Sequence, residues 1–150
     1  MKRLHIHISV ENLEKSRKFY TALFGLEPTK IKDDYMQWLV DDPAVNFAIS
    51  LGKEKTGLNH LGIQVDTDEA VQELESRLTE AGISGEKQDE AVCCYAKSNK
   101  YWVHDPQNLI WENYHTMEQV EVFGGDSFTG GESCCQPTFS KNGTWSTGSC

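Results

Sequence analysis

Apolar and polar residues alternate over positions 4–10, LHIHISV, and again over 60–65, HLGIQV. That is the period-two pattern of a strand with one buried face. Behind each strand the period lengthens to that of a helix. Leu13, Ser16, Tyr20, Leu23 and Phe24 fall on one face of the first helix, and Val71, Leu74, Leu78 and Ala81 on one face of the second. Asn12 and Asp68 stand at the N-cap positions, and Gly25 and Gly82 where a left-handed C-terminal residue is wanted. Short strand-like runs follow: YMQWLV and NFAISL in the first half, then CCYAKS, KYWVHD and LIWENY in the second. An Asp-Pro turn precedes the last run of each set. The order β-α-β-β-β therefore occurs twice, which predicts an α+β domain over residues 1–115. Its two modules span about 1–53 and 57–115, with their strands in a curved mixed sheet around a cleft.

The two copies differ in length. His60 follows His5 by 55 positions, whereas Asp105-Pro106 follows Asp42-Pro43 by 63, so the second copy carries eight extra residues. Gly25 to Asp42 is 17 residues and Gly82 to Asp105 is 23, which assigns six of the eight to the segment containing Cys93 and Cys94. The paired cysteines thus belong to an elaboration of the repeat, expected as a polar loop.

Superposing the copies makes His5 and His60 equivalent, so two imidazoles from the first strands can face one cleft. Aligning the last strands on their Asp-Pro turns sets Glu112 opposite Ile49, and a single carboxylate results. Two imidazoles and one carboxylate form a facial ligand set that leaves positions open on iron(II), Fe(II), although other divalent metals accept it. His7 shares the His5 face and could replace it or support it; the repeat favours His5. His104 and His115 flank the last strand and read as surface residues. Glu112 lies in an otherwise apolar strand, where an inward carboxylate needs a cation or a metal.

A disulfide between sequence neighbours has awkward geometry, so stapling explains Cys93 and Cys94 poorly. Two soft sulfurs side by side suit trivalent arsenic or cadmium better than magnesium or calcium. Lys97 and Lys100 lie close enough in sequence to lower a thiol pKa if the loop folds back, and Tyr95, Tyr101 and Trp102 supply nearby aromatic surface.

Composition narrows the setting. A formal net charge of -9 with 14 scattered Lys and Arg argues against nucleic acid, whose binding rests on phosphate neutralisation. No stretch approaches membrane-spanning length. Five cysteines, four of them in the adjacent pairs Cys93-Cys94 and Cys134-Cys135, fit a reducing cytoplasm better than a secreted disulfide framework. Residues 116–150 hold half of the 12 glycines within 124–150 and little apolar period, and read as a flexible Gly/Ser/Cys-rich tail.

The opening HIHISVENLEKSRKFYTALFG, the second opening NHLGIQV and the ending DPQNLIWENY resemble the vicinal oxygen chelate superfamily, the fold of glyoxalases, extradiol dioxygenases and fosfomycin and bleomycin resistance proteins. Within it, DDYMQWLVDDPAVNFAIS, GLNHLGIQV and CCYAKSNKYWVHDP resemble the carbon-arsenic lyases and the related cadmium-induced proteins. The resemblance implies an iron(II)- and O2-dependent enzyme that cleaves trivalent organoarsenicals to arsenite. His5, His60 and Glu112 would bind iron, Cys93 and Cys94 the arsenic, and Lys100, in a mobile closing loop, would join Tyr101 at the substrate. A homodimer is compatible, since paired modules in this superfamily complete their cleft within one chain or between two.

A rival of a different class is a non-catalytic protein that sequesters cadmium or arsenite through its cysteine pairs. A glyoxalase-like isomerase using nickel or zinc would want a second carboxylate where Ile49 stands. A drug-binding resistance protein would leave the paired thiols without a use. Cys134 and Cys135 suit a relay or scavenging role, and Cys150 none.

Overall fold

Capping defines where the helices begin. The computed structural model describes residues 1–52, 55–119, 121, 137–140 and 142–146. In it, strand β1 (Arg3–Val10) leads into helix α1 (Leu13–Phe24). The Asn12 side-chain oxygen accepts from the Lys15 amide at 2.8 Å, and Gly25 ends the helix in the left-handed region at φ 68°. Helix α2 (Asp68–Glu80) is capped one residue earlier than the sequence suggests. The Thr67 hydroxyl accepts from the Ala70 amide at 3.2 Å, and Asp68 joins Glu69 in the first turn, where carboxylates face the positive end of the helix dipole.

Residues 2–64 make one compact unit; Val65 onward, with Met1, make a second. In the first unit the strand order is β2 (Lys30–Ile31), β3 (Tyr35–Val40), β4 (Val45–Leu51), β1, β5 (Gly57–Val65). β1 runs parallel to β4 and antiparallel to β5. Ile6 and Ile8 of β1 pack with Met36, Trp38, Phe47, Ile49 and the Leu13, Tyr20 and Phe24 stripe of α1. Leu23 is not in that stripe but 62% exposed, because it lies about 80° round the helix from Leu13 at 3.6 residues per turn. The alternate positions of the same strands, His5, His7, Ser9, Asn46 and Ser50, are polar and buried. One sheet face is therefore an apolar core and the other a buried polar surface.

In the second unit the order is β6 (Glu86–Cys93), β7 (Ala96–His104), β8 (Ile110–Gln119), all antiparallel. α2 packs on β7 and β8 and buries Val71 and Leu74. The order βαβββ thus occurs twice in a mixed parallel and antiparallel arrangement, as the sequence pattern predicts. CCYAKS is not a strand: Cys93 ends β6, Cys94 and Tyr95 form a two-residue turn, and β7 begins at Ala96. The extra residues of the second copy lengthen a hairpin. Gly85 serves packing, since a Cβ there would run into the Trp102 carbonyl and the Tyr101 ring. Within the expected tail, β9 (Thr138–Phe139) pairs with β10 (Trp145–Ser146). Phe139 lies 3.7 Å, centroid to centroid, from the His104 ring, with Trp145 beside it at 5.8 Å.

Candidate active site

Strand alternation puts His5 and His7 on one face of β1, and the antiparallel register sets His60 of β5 directly opposite His7. All three are buried, and one ligand atom from each lies within 4.8 Å of the others. His5 Nε2 and His60 Nε2 stand 3.2 Å apart. Two nitrogens sharing a metal at about 2.1 Å are separated by roughly 3.0–3.4 Å between right-angle and tetrahedral bond angles. The imidazole pair is therefore spaced as two adjacent ligands would be. His5 Nδ1 donates to the Asn46 carbonyl at 3.1 Å, so in the neutral ring Nε2 carries the lone pair. Asn46 is anchored by a buried amide chain: Gln37 Nε2 donates to its Oδ1 at 2.8 Å, and its Nδ2 donates to Gln64 Oε1 at 2.9 Å. His7 Nε2 meets Ser50 Oγ at 2.9 Å. This donor set fits a divalent metal of the kind imidazole favours, zinc, iron, nickel or copper.

The second unit holds the remaining candidates. Glu112 is opposite Trp102 on the β7–β8 pair, and Lys100 is two residues along from Trp102 on the same face. Lys100 Nζ lies 2.6 Å from Glu112 Oε1, with both side chains 5% exposed. It also lies 5.4 Å from the centre of the Trp102 ring. The inward carboxylate thus has the cation that its burial demands. Lys100 was expected in a mobile loop; it is instead central in β7, paired with Gln88 of β6 and Tyr114 of β8. The neighbouring Tyr101 is buried on the opposite face. Lys97 is bound to Glu90 at 2.9 Å, and that hydrogen bond raises its pKa. Both lysines thus have carboxylate partners of their own, which weakens their expected pull on the thiols.

Cys93 and Cys94 sit at the tip of the β6–β7 hairpin. Cys94 and Tyr95 have φ values of 55° and 61°, so a conformation usually left to Asn-Gly is imposed on two other side chains. The two sulfurs lie 3.2 Å apart. Cys93 is disulfide-bonded, while Cys94 keeps its thiol. Cys134, Cys135 and Cys150 lie outside the described residues. Cys93 pairs with Ala96, and cross-strand partners share a face, so Cys93 projects to the side of Lys100 and Glu112. Ala96 and Trp102 stand six positions apart along β7, about 20 Å of strand. The ladder is interrupted between them, with register shifts at Gln88/Ala91 and at Lys97/Ser98.

His104 and His115, expected as surface residues, are half-buried. His104 backs the β9–β10 pair. His115 Nδ1 meets Asp68 Oδ1 at 2.8 Å, and His115, with Asn99, lowers the Asp68 pKa. The sequence reading missed the supporting Asn46, Ser50 and Asn59. Asn46 and Ser50 had a signal, polar residues at the alternate positions of an apolar strand; Asn59, set by a bulge, had none.

The family model for the glyoxalase/bleomycin resistance protein/dioxygenase superfamily matches residues 2–112. A "Trivalent organoarsenical cleaving enzyme" of Bacillus sp. (strain MD1) is 39% identical, covering 95% of this chain and 95% of that protein. The "Cadmium-induced protein CadI" of Mycobacterium bovis is 36% identical over 90% of this chain and 93% of that one. Among solved structures, the Mn(II)-bound glyoxalase of Novosphingobium aromaticivorans shares the fold with a TM-score of 0.57 at 15% identity, over 80% of this chain and 42% of that one. On a buried polar sheet face bearing paired histidines, within a twice-repeated βαβββ order, the chain belongs to the glyoxalase/bleomycin resistance protein/dioxygenase superfamily.

Proposed function

We propose that the protein is an iron(II)-dependent, O2-requiring carbon-arsenic lyase that cleaves methyl or aryl trivalent organoarsenicals to arsenite in the reducing cytoplasm. The observation that carries this reading is the adjacent sulfur pair 3.2 Å apart on a strained two-residue turn. Two bonds of about 2.3 Å meeting near a right angle span about 3.3 Å, which suits a pyramidal trivalent centre. Relatives 32–39% identical that are named as organoarsenical cleaving enzymes support it.

His5 and His60 are the proposed imidazole ligands, and the resemblance adds Glu112 as the carboxylate. Bound iron(II) would supply dioxygen activation. The thiolates capture the arsenical and hold it against the hairpin face, replacing chance collision by proximity. Cys93 has to be reduced before it can take part. For a guest on the sulfurs to come level with Glu112, the tip must fold down over its own sheet face. The register shifts below the tip favour that bend, since bulges kink and twist the strand that carries them.

Reduced, iron-loaded protein incubated aerobically with methylarsonous acid is expected to release inorganic arsenite, and iron-free protein is not. Absence of arsenite, together with arsenical binding by Cys93→Ser equal to the parent, would end the proposal. The cadmium-induced relatives favour a second reading, a non-catalytic cadmium or arsenite binder. It predicts tight soft-metal binding that survives His60→Ala and needs no oxygen.

A further inference from the structure

His5 and His60 are oriented by acceptors of different kinds. The acceptor for His5 Nδ1 is a main-chain carbonyl, which has no donor to offer. The partner of His60 Nδ1 is the side-chain amide of Asn59, which presents an acceptor at one end and a donor at the other. The way Asn59 faces therefore competes with the lone pair of His5 Nε2, 3.2 Å from His60 Nε2, in deciding which ring nitrogen of His60 bears the proton. In the structure its Oδ1 faces His60 Nδ1 at 2.7 Å, and its Nδ2 donates to Ser9 Oγ at 3.0 Å.

Ordinary strand alternation would forbid this contact, because neighbours such as Asn59 and His60 point to opposite faces. The β1–β5 ladder removes the obstacle. His7 pairs with His60 and Ile8 with Leu58, leaving Asn59 as the extra residue of a bulge. A bulge re-aims the side chain it carries, and here it turns Asn59 to the side of His60 and Ser9. We infer that Asn59, held by Ser9, is the positioning residue that places the His60 ring proton on Nδ1 and so presents Nε2 to the metal. This rests on the metal-centre reading above and adds to it a residue outside the ligand set. The bulge and the Asn59 orientation serve one end: they hold the proton on Nδ1 against the ring-to-ring hydrogen bond that would draw it to Nε2, 3.2 Å from His5 Nε2, and so leave both Nε2 lone pairs for a cation.

The test uses the full reduced chain without metal, at a pH where the ring is neutral, and reads the His60 nitrogens by 15N NMR, assigned against His60→Gln. The parent is expected to show Nδ1–H. Asn59→Asp, which keeps the acceptor, should stay Nδ1–H. Asn59→Leu, similar in size but without it, should move toward Nε2–H, and Ser9→Ala, which frees the amide to turn, should mix the two. Zinc(II) affinity, measured by chelator competition, should fall about 10–100-fold in Asn59→Leu, the usual cost of losing a ligand's outer partner, and stay near the parent in Asn59→Asp. Retention of Nδ1–H in Asn59→Leu, or a shift to Nε2–H with unchanged zinc affinity, would overturn the inference. Parent-like zinc binding by His60→Ala would instead overturn the metal centre itself, whatever the tautomers show.

Discussion

The Lys100–Glu112 pair is the costliest polar arrangement described in the second unit. Both ions have left water, and their 2.6 Å contact offsets part of that cost. Lys100→Met should therefore destabilise the metal-free protein by about 3–5 kcal/mol in urea unfolding, because it breaks a buried ion pair by removing one partner. The double variant Lys100→Met/Glu112→Leu should recover most of that loss, since no buried charge is left at either position; a double variant as weak as the single would contradict this. At the hairpin tip the conflict is between backbone and chemistry. Cys94 occupies a left-handed conformation that glycine adopts without penalty. Under reducing conditions Cys94→Gly should gain about 0.5–1 kcal/mol of stability while losing tight binding of trivalent arsenicals, which a thermal melt and an arsenical titration would show together.

Elements in the second unit are fastened by side chains at their ends. Asp68, in the first turn of α2, reaches His115 of β8, and the contact lowers the carboxyl pKa. A depressed carboxylate contributes its stability above the unfolded value near 4 and loses it as the pH falls through the folded one. The melting-temperature gap between parent and Asp68→Asn should accordingly be open at about pH 5 and close as the pH falls below about 4. Its size should be well under about 1 kcal/mol, because the Asp68 side chain is 41% exposed and its charge is screened by water. The β9–β10 pair depends on its aromatic contact with His104, a two-stranded ribbon being marginal alone. Phe139→Ser should release it, read as faster proteolysis between residues 137 and 146 with the melting of the remainder little changed.

At the scale of the whole molecule, a metal held by the proposed histidines would be linked to folding. A ligand that binds only the folded chain adds about 2.7 kcal/mol at one hundred times its dissociation constant. Zinc(II) at that excess should raise the melting temperature of the parent and of Lys97→Gln alike, and should leave His5→Ala and His60→Ala where they were. An equal rise in the His60→Ala variant would show that the cation is held elsewhere. The net charge of -9 adds a long-range term favouring cations over anionic guests, and it weakens with salt.

Much of this was written in periodicity. The two alternating runs, the helical stripes behind them and the repeated Asp-Pro turns declared the twice-used βαβββ order, because period two and period 3.6 are local properties of the chain. The equivalence of His5 and His60 followed from the same repeat. Where the prediction failed, the deciding contact was one that the apolar period does not carry. Thr67 displaced Asp68 as a cap, and the CCYAKS run became a turn once β6 found β7 as a partner. Lys100 moved from an expected loop into a central strand through the same pairing, and register alone set it beside Glu112. The bulge that aims Asn59 at His60 is invisible in the letters NH, because it exists only relative to β1. Composition and spacing along one chain determine which elements form and which residues could carry chemistry. Pairing between strands, which sequence separation does not encode, decided which of those residues meet and which nitrogen or oxygen each turns to its neighbour.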